Sequence, residues 1–400
     1  GEALDQKIGD MKNRIADLEN KRRECLEKNR DAILAAAARL ERYDKNFNVR
    51  KMAASTTHKS STFYILCGWM TKNQAAAFRE EIKNDPDVFL IVEENHGNVI
   101  SKPPTKLKNP GIFRPFELFI RMYGLPSYEE LDPTILIGIT YSFLFGFMFG
   151  DAGQGLCLLA GGFLLYRLKK MSLAAIISCC GFFSTIFGLL FGSVFGFEDV
   201  ITPLWLRPAD AMTTLPFIGK LNTVFVVSIS IGMGIILLTM VLNIINSLRE
   251  KDAEKLWFDT NGVAGLVFYG SLVLAVVLFM TGHVLPGSAV LAVMFGVPVL
   301  LMFFKEPLTA FLEKKARTAA PGGKAMFVIQ GFFELFEVLL SYFSNTLSFV
   351  RVGAFAVSHA AMMEVVLMLA GAEAGSPNWV VIILGNLFVC LMEGLVVGIQ

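Results

Sequence analysis

The 400-residue chain is 54% hydrophobic and contains 35 Phe and 35 Gly, a composition too apolar for an ordinary soluble protein. Of its 71 charged residues (36 Lys and Arg, 35 Asp and Glu), 42 lie before Thr134, so the first third is predicted to be soluble and the rest to lie in a membrane. The formal net charge of +1 gives no indication of a nucleic-acid partner.

The first element in chain order is a predicted coiled-coil helix between Leu4 and Leu40. Apolar or small residues recur there at heptad-like spacing between heavily charged positions. A single helix cannot bury such a stripe, so a partner helix is expected, in a preceding part of a longer protein. The alternative is a free, highly charged helix. Because the chain begins at Gly1 without Met or a signal peptide, a fragment of a longer protein is expected.

A small α/β lobe is predicted next. Segments 61–70 and 87–94 are rich in β-forming residues, and a helix with Thr71 as its N-cap is predicted between them. This order favours a parallel strand pair, followed by the Pro-rich stretch 101–111 that leads toward the membrane. This third shows neither a phosphate-binding loop nor a nucleophile constellation, which favours mechanical work as a strut or docking lobe.

Eight apolar segments of the remaining chain are candidates for membrane spans, each of which needs about 20 apolar residues. They are 134–150, 153–166, 172–197, 222–245, 256–280, 288–304, 326–370 and 379–399. The first two are short and are separated by Asp151, and the seventh is too long for an upright helix, so it must be tilted or broken.

The predicted fold class is therefore mainly α: a cytoplasmic coiled coil and a small α/β lobe, followed by an eight-helix transmembrane domain with long, tilted seventh and eighth helices. The predicted domains are 1–110 for the coiled coil and lobe, 111–133 for the segment that leads into the membrane, and 134–400 for the transmembrane domain.

The basic residues of the loops predict the orientation of these spans. The loops after the second, fourth and sixth segments carry eleven Lys and Arg, whereas the opposite loops carry only Arg207 and Lys220. The positive-inside rule places the basic loops in the cytoplasm, and an even number of spans then places both termini there. The six cysteines show no CxxC spacing, so neither a metal site nor a disulfide framework is predicted.

Arg351 is the only Lys or Arg between Ala325 and Gln400. An arginine at the centre of a span costs about 2.5–3.5 kcal/mol on insertion scales, and it cannot lose its proton to avoid that cost. The alternative of snorkelling to the interface is awkward, because long apolar stretches flank Arg351 on both sides.

A polar stripe accompanies Arg351 on one helical face. At about 100° per residue, nine polar residues share roughly a third of the circumference over about 43 Å of helix. They are Gln330, Glu334, Glu337, Ser341, Ser344, Ser348, Arg351, Ser358 and His359. This pattern favours an ion path with a positive block in its middle. The alternative is a static network in which carboxylates neutralise Arg351, although Glu337 lies about 21 Å away along the axis.

Glu393 is a further carboxylate deep in the eighth apolar segment. It is expected either to line the inner half of the path or to face Arg351 across a helix pair. An intramembrane ionisable residue of this kind is a functional candidate by default.

Three stretches of the chain resemble the large membrane subunit of V/A-type rotary ATPases, called subunit a or subunit I. They are YGLPSYEELDPTILIGITYSFLFGFMFGDAGQG (123–155), SFVRVGAFAVSHAAMMEVV (348–366) and LMEGLVVGIQ (391–400). The first contains Asp132 in an Asp-Pro-Thr motif, and Asp151 and Gln154 in a Phe-Gly-Asp-x-Gly-x-Gly motif. The similarity extends over nearly the whole chain and includes the eight-span count.

The resemblance implies a stator subunit of an ion pump, in which Arg351 faces a rotating ring of small membrane subunits that each carry a carboxylate. Glu334, Glu337, Ser341, Ser344, Ser348, His359 and Glu393 are then expected to line the two ion half-channels. The implied partners are the ring, the peripheral-stalk and central-stalk-proximal subunits through the cytoplasmic domain, and the lipid bilayer. No cofactor is implied, because other subunits handle ATP and the chain itself is non-catalytic.

Two departures from the family pattern accompany this resemblance. A second family arginine on the eighth helix would fall just past Gln400, so the extreme C-terminus is expected to be missing. Gln154 stands where eukaryotic members usually have His, which favours a prokaryotic plasma membrane over a eukaryotic endomembrane.

A secondary transporter in which Arg351 binds an anionic substrate is the alternative function. Such folds show internal repeats and matching broken helices, for which the chain gives no convincing signal. A membrane scaffold without transport would leave the polar stripe unexplained. The choice between protons and sodium ions is expected to reside in the ion site of the ring.

Overall fold

The computed structural model describes residues 2–55, 68–85, 90–92, 103–215, 219–284, 286–312, 323–372 and 377–400. The chain divides into two compact units, Gly1–Pro103 and Pro104–Gln400. The predicted boundaries at 110/111 and 133/134 are finer than this division and remain predictions.

The first unit consists of helices in its described residues. They are α1 (Glu2–Lys28), α2 (Arg30–Ser55) and α3 (Lys72–Glu81). The apolar stripe of α1 is open to solvent, with Met11 64%, Ile15 56% and Leu18 59% exposed. The coiled-coil interpretation requires a partner helix over this stripe, and that partner remains a prediction.

The predicted N-cap of α3 is confirmed. Thr71 Oγ1 accepts a hydrogen bond from the Gln74 amide, and the Gln74 side chain accepts one from the Thr71 amide, which is a reciprocal capping box. The predicted strands 61–70 and 87–94 lie mostly outside the described residues. Their described parts, 68–70 and 90–92, form no strand.

In its described residues, the regular structure of the second unit is helical apart from one short hairpin and a 3₁₀ turn at Arg114–Phe116. Its helices are α4 (Glu117–Tyr123), α5 (Thr134–Met148), α6 (Ala152–Lys169), α7 (Ser172–Phe191), α8 (Thr223–Glu250), α9 (Ala253–Trp257), α10 (Val263–Met280), α11 (Ser288–Phe303), α12 (Lys305–Leu312), α13 (Gly323–Ser348), α14 (Val350–Leu369) and α15 (Trp379–Ile399). Strands β1 (Met212–Leu215) and β2 (Gly219–Asn222) form the antiparallel hairpin. The mainly α fold class is therefore confirmed.

Helices occupy all eight predicted apolar segments. Within the described ranges, five are long and apolar enough to cross a membrane: 172–191, 223–250, 263–280, 326–369 and 379–399. Helices α5 and α11 are apolar but shorter. The chain thus has the helices of an integral membrane protein, while the count of eight spans remains a prediction.

Helices α6 and α7 approach each other closely because glycines face the neighbouring backbone. A Cβ at Gly155 would lie 2.6 Å from the Thr185 amide nitrogen, and one at Gly162 would lie 2.7 Å from the Ala174 carbonyl oxygen. Small residues allow helices in a membrane to approach this closely. Helix association there depends on van der Waals packing, because the hydrophobic effect does not act between helices in lipid. Phenylalanines of α5 and α7, including the fully buried Phe147, fill the core beside this pair.

The seventh predicted span is interrupted at Phe349, between α13 and α14. Around this point the Phe349 amide donates to the Thr346 carbonyl, and the Val352 amide donates to the Phe349 carbonyl. These are the i to i−3 hydrogen bonds of a 3₁₀ turn, in place of the i to i−4 bonds of an α-helix. The Ser348 hydroxyl also donates to the carbonyl four residues earlier, a bond that bends helices. The Phe349 ring packs against Gly232 of α8, where any Cβ would overlap it.

Candidate functional site

Asp151 lies between α5 and α6 and is completely buried. Its Oδ1 accepts hydrogen bonds from the amides of Gln154 and Phe195, each at 2.9 Å. Its Oδ2 accepts from the Ser193 hydroxyl and the Gly196 amide, each at 2.8 Å. The carboxylate thus caps the N-terminus of α6 and fastens the connection after α7 to it.

The two donor residues Phe195 and Gly196 have φ angles of +52° and +84°. They are the central residues of a tight turn in which Val194 and Phe197 exchange backbone hydrogen bonds, and the N–H groups of a turn can bind an anion. Both amides donate to the Asp151 carboxylate, so the polar group that separates the first two predicted spans has a structural role in this unit.

Gln154 is buried and links α6 to α14 and α15. Its Nε2 donates to Asn386 Oδ1 at 2.8 Å and lies 3.2 Å from Met363 Sδ. Asn386 in turn donates to the Ile382 carbonyl at 3.0 Å, within α15. This amide pair is one polar level between the three helices.

His359 and Glu393 form a second polar level between α14 and α15. His359 Nδ1 lies 2.6 Å from Glu393 Oε2, and both residues are only 3% exposed. The Phe149 ring contacts the imidazole, with a distance of 4.5 Å between ring centroids. Among the described residues, the buried atoms His359 Nε2 and Glu393 Oε1 have no hydrogen-bond partner.

Arg351 lies near the start of α14, two residues after the break, and is exposed. Its Nη1 donates to Gln400 Oε1 at 2.5 Å. Among the described residues, no carboxylate pairs with it. Its guanidinium therefore points outward from the helix bundle, whereas His359 points inward.

Glu393 thus lies with His359 rather than with Arg351. Arg351 and His359 are eight positions apart in α14, and Glu393 and Gln400 are seven positions apart at the end of α15. The Arg351–Gln400 and His359–Glu393 contacts are therefore about 10–12 Å apart along the helix axes. Glu393 is on the His359 side of Arg351. Glu393 therefore does not face Arg351 directly, and its place on the inner half of the path stays a prediction.

The carboxylates and serines of α13 lie before the break. Glu334 is ion-paired with Lys305 of α12, while Glu337 is exposed. Ser341, Ser344 and Ser348 are exposed as well. The predicted stripe therefore stays exposed past Arg351 as far as Ser358, whereas His359 is buried and pairs with Glu393.

Asp132 lies just before α5. Its Oδ1 accepts hydrogen bonds from the Thr134 amide at 2.9 Å and from the Thr134 hydroxyl, and its Oδ2 accepts from Asn109 at 2.8 Å. Partial burial alone would raise the pKa of Asp132, but the hydrogen bonds from Thr134 and Asn109 lower it below its ordinary value. Asp132 therefore holds the start of α5 as a charged cap.

Sequence reasoning missed Asn386 and Gln400. Both lie seven residues from Glu393, and a seven-residue spacing returns to nearly the same face of a helix. That spacing on α15 was the available signal. In the described part of the chain, no group of three or more His, Cys, Asp or Glu is placed to hold a metal ion.

Residues 2–197 match the model of a family described as the V-type ATPase 116kDa subunit family. The chain is 26% identical to A-type ATP synthase subunit I of Saccharolobus solfataricus, over 94% of this chain and 63% of that protein. It is 30% identical to A-type ATP synthase subunit I of Thermococcus kodakarensis, over 50% of this chain and 32% of that protein.

A bacterial relative is similar as well. V-type ATP synthase subunit I 2 of Treponema pallidum is 25% identical, over 60% of this chain and 58% of that protein. The chain spans less than two thirds of the length of each of these three relatives.

Proposed function

We propose that the chain, whose residues 2–197 match the V-type ATPase 116kDa subunit family, is the non-catalytic membrane stator subunit of a V/A-type rotary ATPase or ATP synthase. It forms two ion half-channels beside a rotating ring of small carboxylate-bearing subunits. The family match favours this function over a secondary transporter with Arg351 as an anion site. The proposed location is a prokaryotic plasma membrane, with both termini in the cytoplasm.

The outward exposure of Arg351 carries this proposal. A guanidinium that faced lipid alone would cost about 2.5–3.5 kcal/mol at mid-span, and within the described residues only the neutral Gln400 side chain binds it. A polar or anionic group outside this chain is therefore expected opposite Arg351. A carboxylate on a neighbouring membrane subunit has the required charge and geometry.

The fixed positive charge has two consequences for a passing carboxylate. A guanidinium nearby favours the ionised form, so the carboxylate releases its ion before it meets Arg351. The same charge repels a cation that would pass directly from one half-channel to the other. Movement of the ring is thereby coupled to ion transfer.

The residues on the two sides of Arg351 provide the half-channels. On one side lies the row of Glu334, Glu337 and the three serines of α13. On the other lies the buried pair of His359 and Glu393, whose unpartnered atoms Nε2 and Oε1 would take part in ion transfer once water reaches them. A chain of such groups can pass an ion through an apolar bundle.

The first unit is proposed to dock onto the stalk subunits of the complex. Its helix α1 exposes an apolar stripe between charged positions, which is the surface that a second coiled-coil helix covers. An arm of this kind would resist the torque that the rotating ring exerts.

Substitution of Arg351 tests the proposal. In vesicles that contain the assembled complex, Arg351→Ala is expected to reduce ATP-driven ion uptake to the level seen without ATP. Arg351→Lys is expected to fail nearly as badly, because a compact ammonium does not reproduce the guanidinium fork. Arg167→Ala is the matched control, since Arg167 is exposed at the end of α6, away from the polar levels. Normal uptake by either Arg351 variant would rule the mechanism out.

A further inference from the structure

We propose that the segment before the first predicted span holds a binding site for the phosphate group of an anionic phospholipid. A cavity of about 460 Å³ lies there, between residues 105 and 125. Its lining includes the basic side chains of Lys106, Lys108, Arg114 and Arg121. It also includes the Glu117 carboxylate and the Asn109 amide. The lining therefore carries a net charge of +3.

The single carboxylate of the cavity is already engaged. Glu117 is only 7% exposed, accepts a hydrogen bond from Asn109 at 3.2 Å, and pairs with Arg121 at 3.4 Å. Among the described residues, no acidic group pairs with Lys106, Lys108 or Arg114. Three cations therefore converge on one cavity without a counter-ion from their own unit, which is the arrangement that binds phosphate oxygens.

Large apolar side chains are exposed in the same segment of the chain. Ile112 is 71% exposed, Met122 73%, Tyr123 93% and Tyr128 61%. Lys and Arg beside exposed aromatic and aliphatic side chains are typical of a segment at the headgroup level of a bilayer. The predicted first span begins at Thr134, close enough to bring the cavity to that level. This setting favours a lipid headgroup over a soluble phosphate compound.

Anionic lipids attract basic residues near the membrane surface, and a defined cavity adds selectivity to that attraction. The site requires that the segment meets the bilayer, but it does not require the proposed ion path. The lining of the cavity includes neither Arg351 nor the His359–Glu393 pair. A variant can therefore lose lipid binding without losing ion transport, and the reverse.

Native mass spectrometry of the purified full chain tests this site. The protein is extracted from vesicles of phosphatidylcholine and phosphatidylglycerol, and the retained phosphatidylglycerol is counted. The triple variant Lys106→Gln, Lys108→Gln, Arg114→Gln is expected to lose at least one retained phosphatidylglycerol. The matched control Arg167→Gln, Lys169→Gln, Lys170→Gln removes the same charge from an exposed, predicted cytoplasmic loop and is expected to retain it.

A second variant separates loss of charge from loss of folding. Lys106→Arg, Lys108→Arg, Arg114→Lys keeps the charge and is expected to retain the lipid. If the cavity variant and the loop control lose the same amount of phosphatidylglycerol, the lipid is held by general surface charge and the proposal is overturned. If both variants retain all of their phosphatidylglycerol, the proposal is overturned as well. Inorganic pyrophosphate is the soluble probe. Thermal stabilisation of the lipid-free protein by pyrophosphate, lost in the cavity variant, would identify a soluble anion as the ligand and overturn the lipid assignment.

Discussion

At the scale of single residues, Asp151 shows how a charged group can be retained within an apolar bundle. A buried carboxylate is tolerated only where its lone pairs are satisfied, and Asp151 receives three backbone amides and one hydroxyl. The same four bonds fasten two chain segments whose sequence positions differ by more than 40 residues. The carboxylate thus organises the packing of α6 with the connection after α7.

Asp151→Asn is expected to destabilise the second unit by about 1–3 kcal/mol, because the new NH₂ group meets N–H donors and leaves at least one of them unsatisfied. The thermal unfolding midpoint of the purified protein in detergent measures this effect. Asp199→Asn is the control, since Asp199 is an exposed aspartate on the same connection. Equal midpoints for the two variants would contradict the structural role of Asp151.

The sequence marked Asp151 as a charge between two short apolar segments, but it did not reveal the partners of the carboxylate. Those partners are mainly backbone amides, and amides carry no residue-specific signal. The positive φ of Phe195 could not be predicted from the sequence either, because non-glycine residues rarely adopt this conformation. Asn386 and Gln400 were readable in principle from their seven-residue spacing to Glu393.

At the scale of helices, the seventh apolar segment is interrupted at Phe349, two residues before Arg351. The length of the seventh apolar segment predicted that it is tilted or broken, yet nothing in its periodicity located the break. The helical wheel assumed one continuous helix. On that wheel Arg351 and His359 differ by about 80°, and in α14 this angle is enough to expose one and bury the other. The wheel therefore gave the right residues but not their separation into two environments.

Helix α8 supports this break through Gly232. A methyl group there would overlap the Phe349 ring, so Gly232→Ala is expected to displace the start of α14 at a cost of about 1–3 kcal/mol in packing. If the proposed function is right, ATP-driven ion uptake in vesicles falls severalfold while the complex still assembles. Gly234→Ala is the matched control on the same helix, because nothing lies within 4 Å of the Cβ that it adds. Ion uptake equal to that of the Gly234→Ala control would show that the packing of Phe349 against Gly232 does not position Arg351.

At the scale of the whole molecule, hydropathy predicted the eight apolar segments of the second unit but not its short helices α4, α9 and α12. Helices occur at all eight apolar segments because a backbone in lipid must satisfy its own hydrogen bonds. The division into a charged first unit and an apolar second unit was likewise readable from the distribution of charge. The short connections that determine how α5, α6 and α7 pack were not, because glycine contacts between helices depend on the tertiary arrangement.

The orientation of the second unit in the membrane rests on its loop charges and gives the last prediction. Lys169 ends α6 in a basic loop, Asp210 lies in the connection before β1, and α7 between them has 20 residues. A helix of that length spans about 30 Å, the thickness of a hydrocarbon core. The positive-inside rule therefore places Lys169 in the cytoplasm and Asp210 on the other side.

Labelling with a membrane-impermeant maleimide measures this orientation in a cysteine-free background. Lys169→Cys is expected to react in inverted vesicles and Asp210→Cys in right-side-out vesicles, because the reagent cannot cross the bilayer. Both residues are exposed, so both variants are expected to react after detergent opens the membrane. Labelling of the two positions from the same side would mean that α7 does not cross. A reversed pattern would invert the predicted topology and place the half-channel beside His359 on the cytoplasmic face.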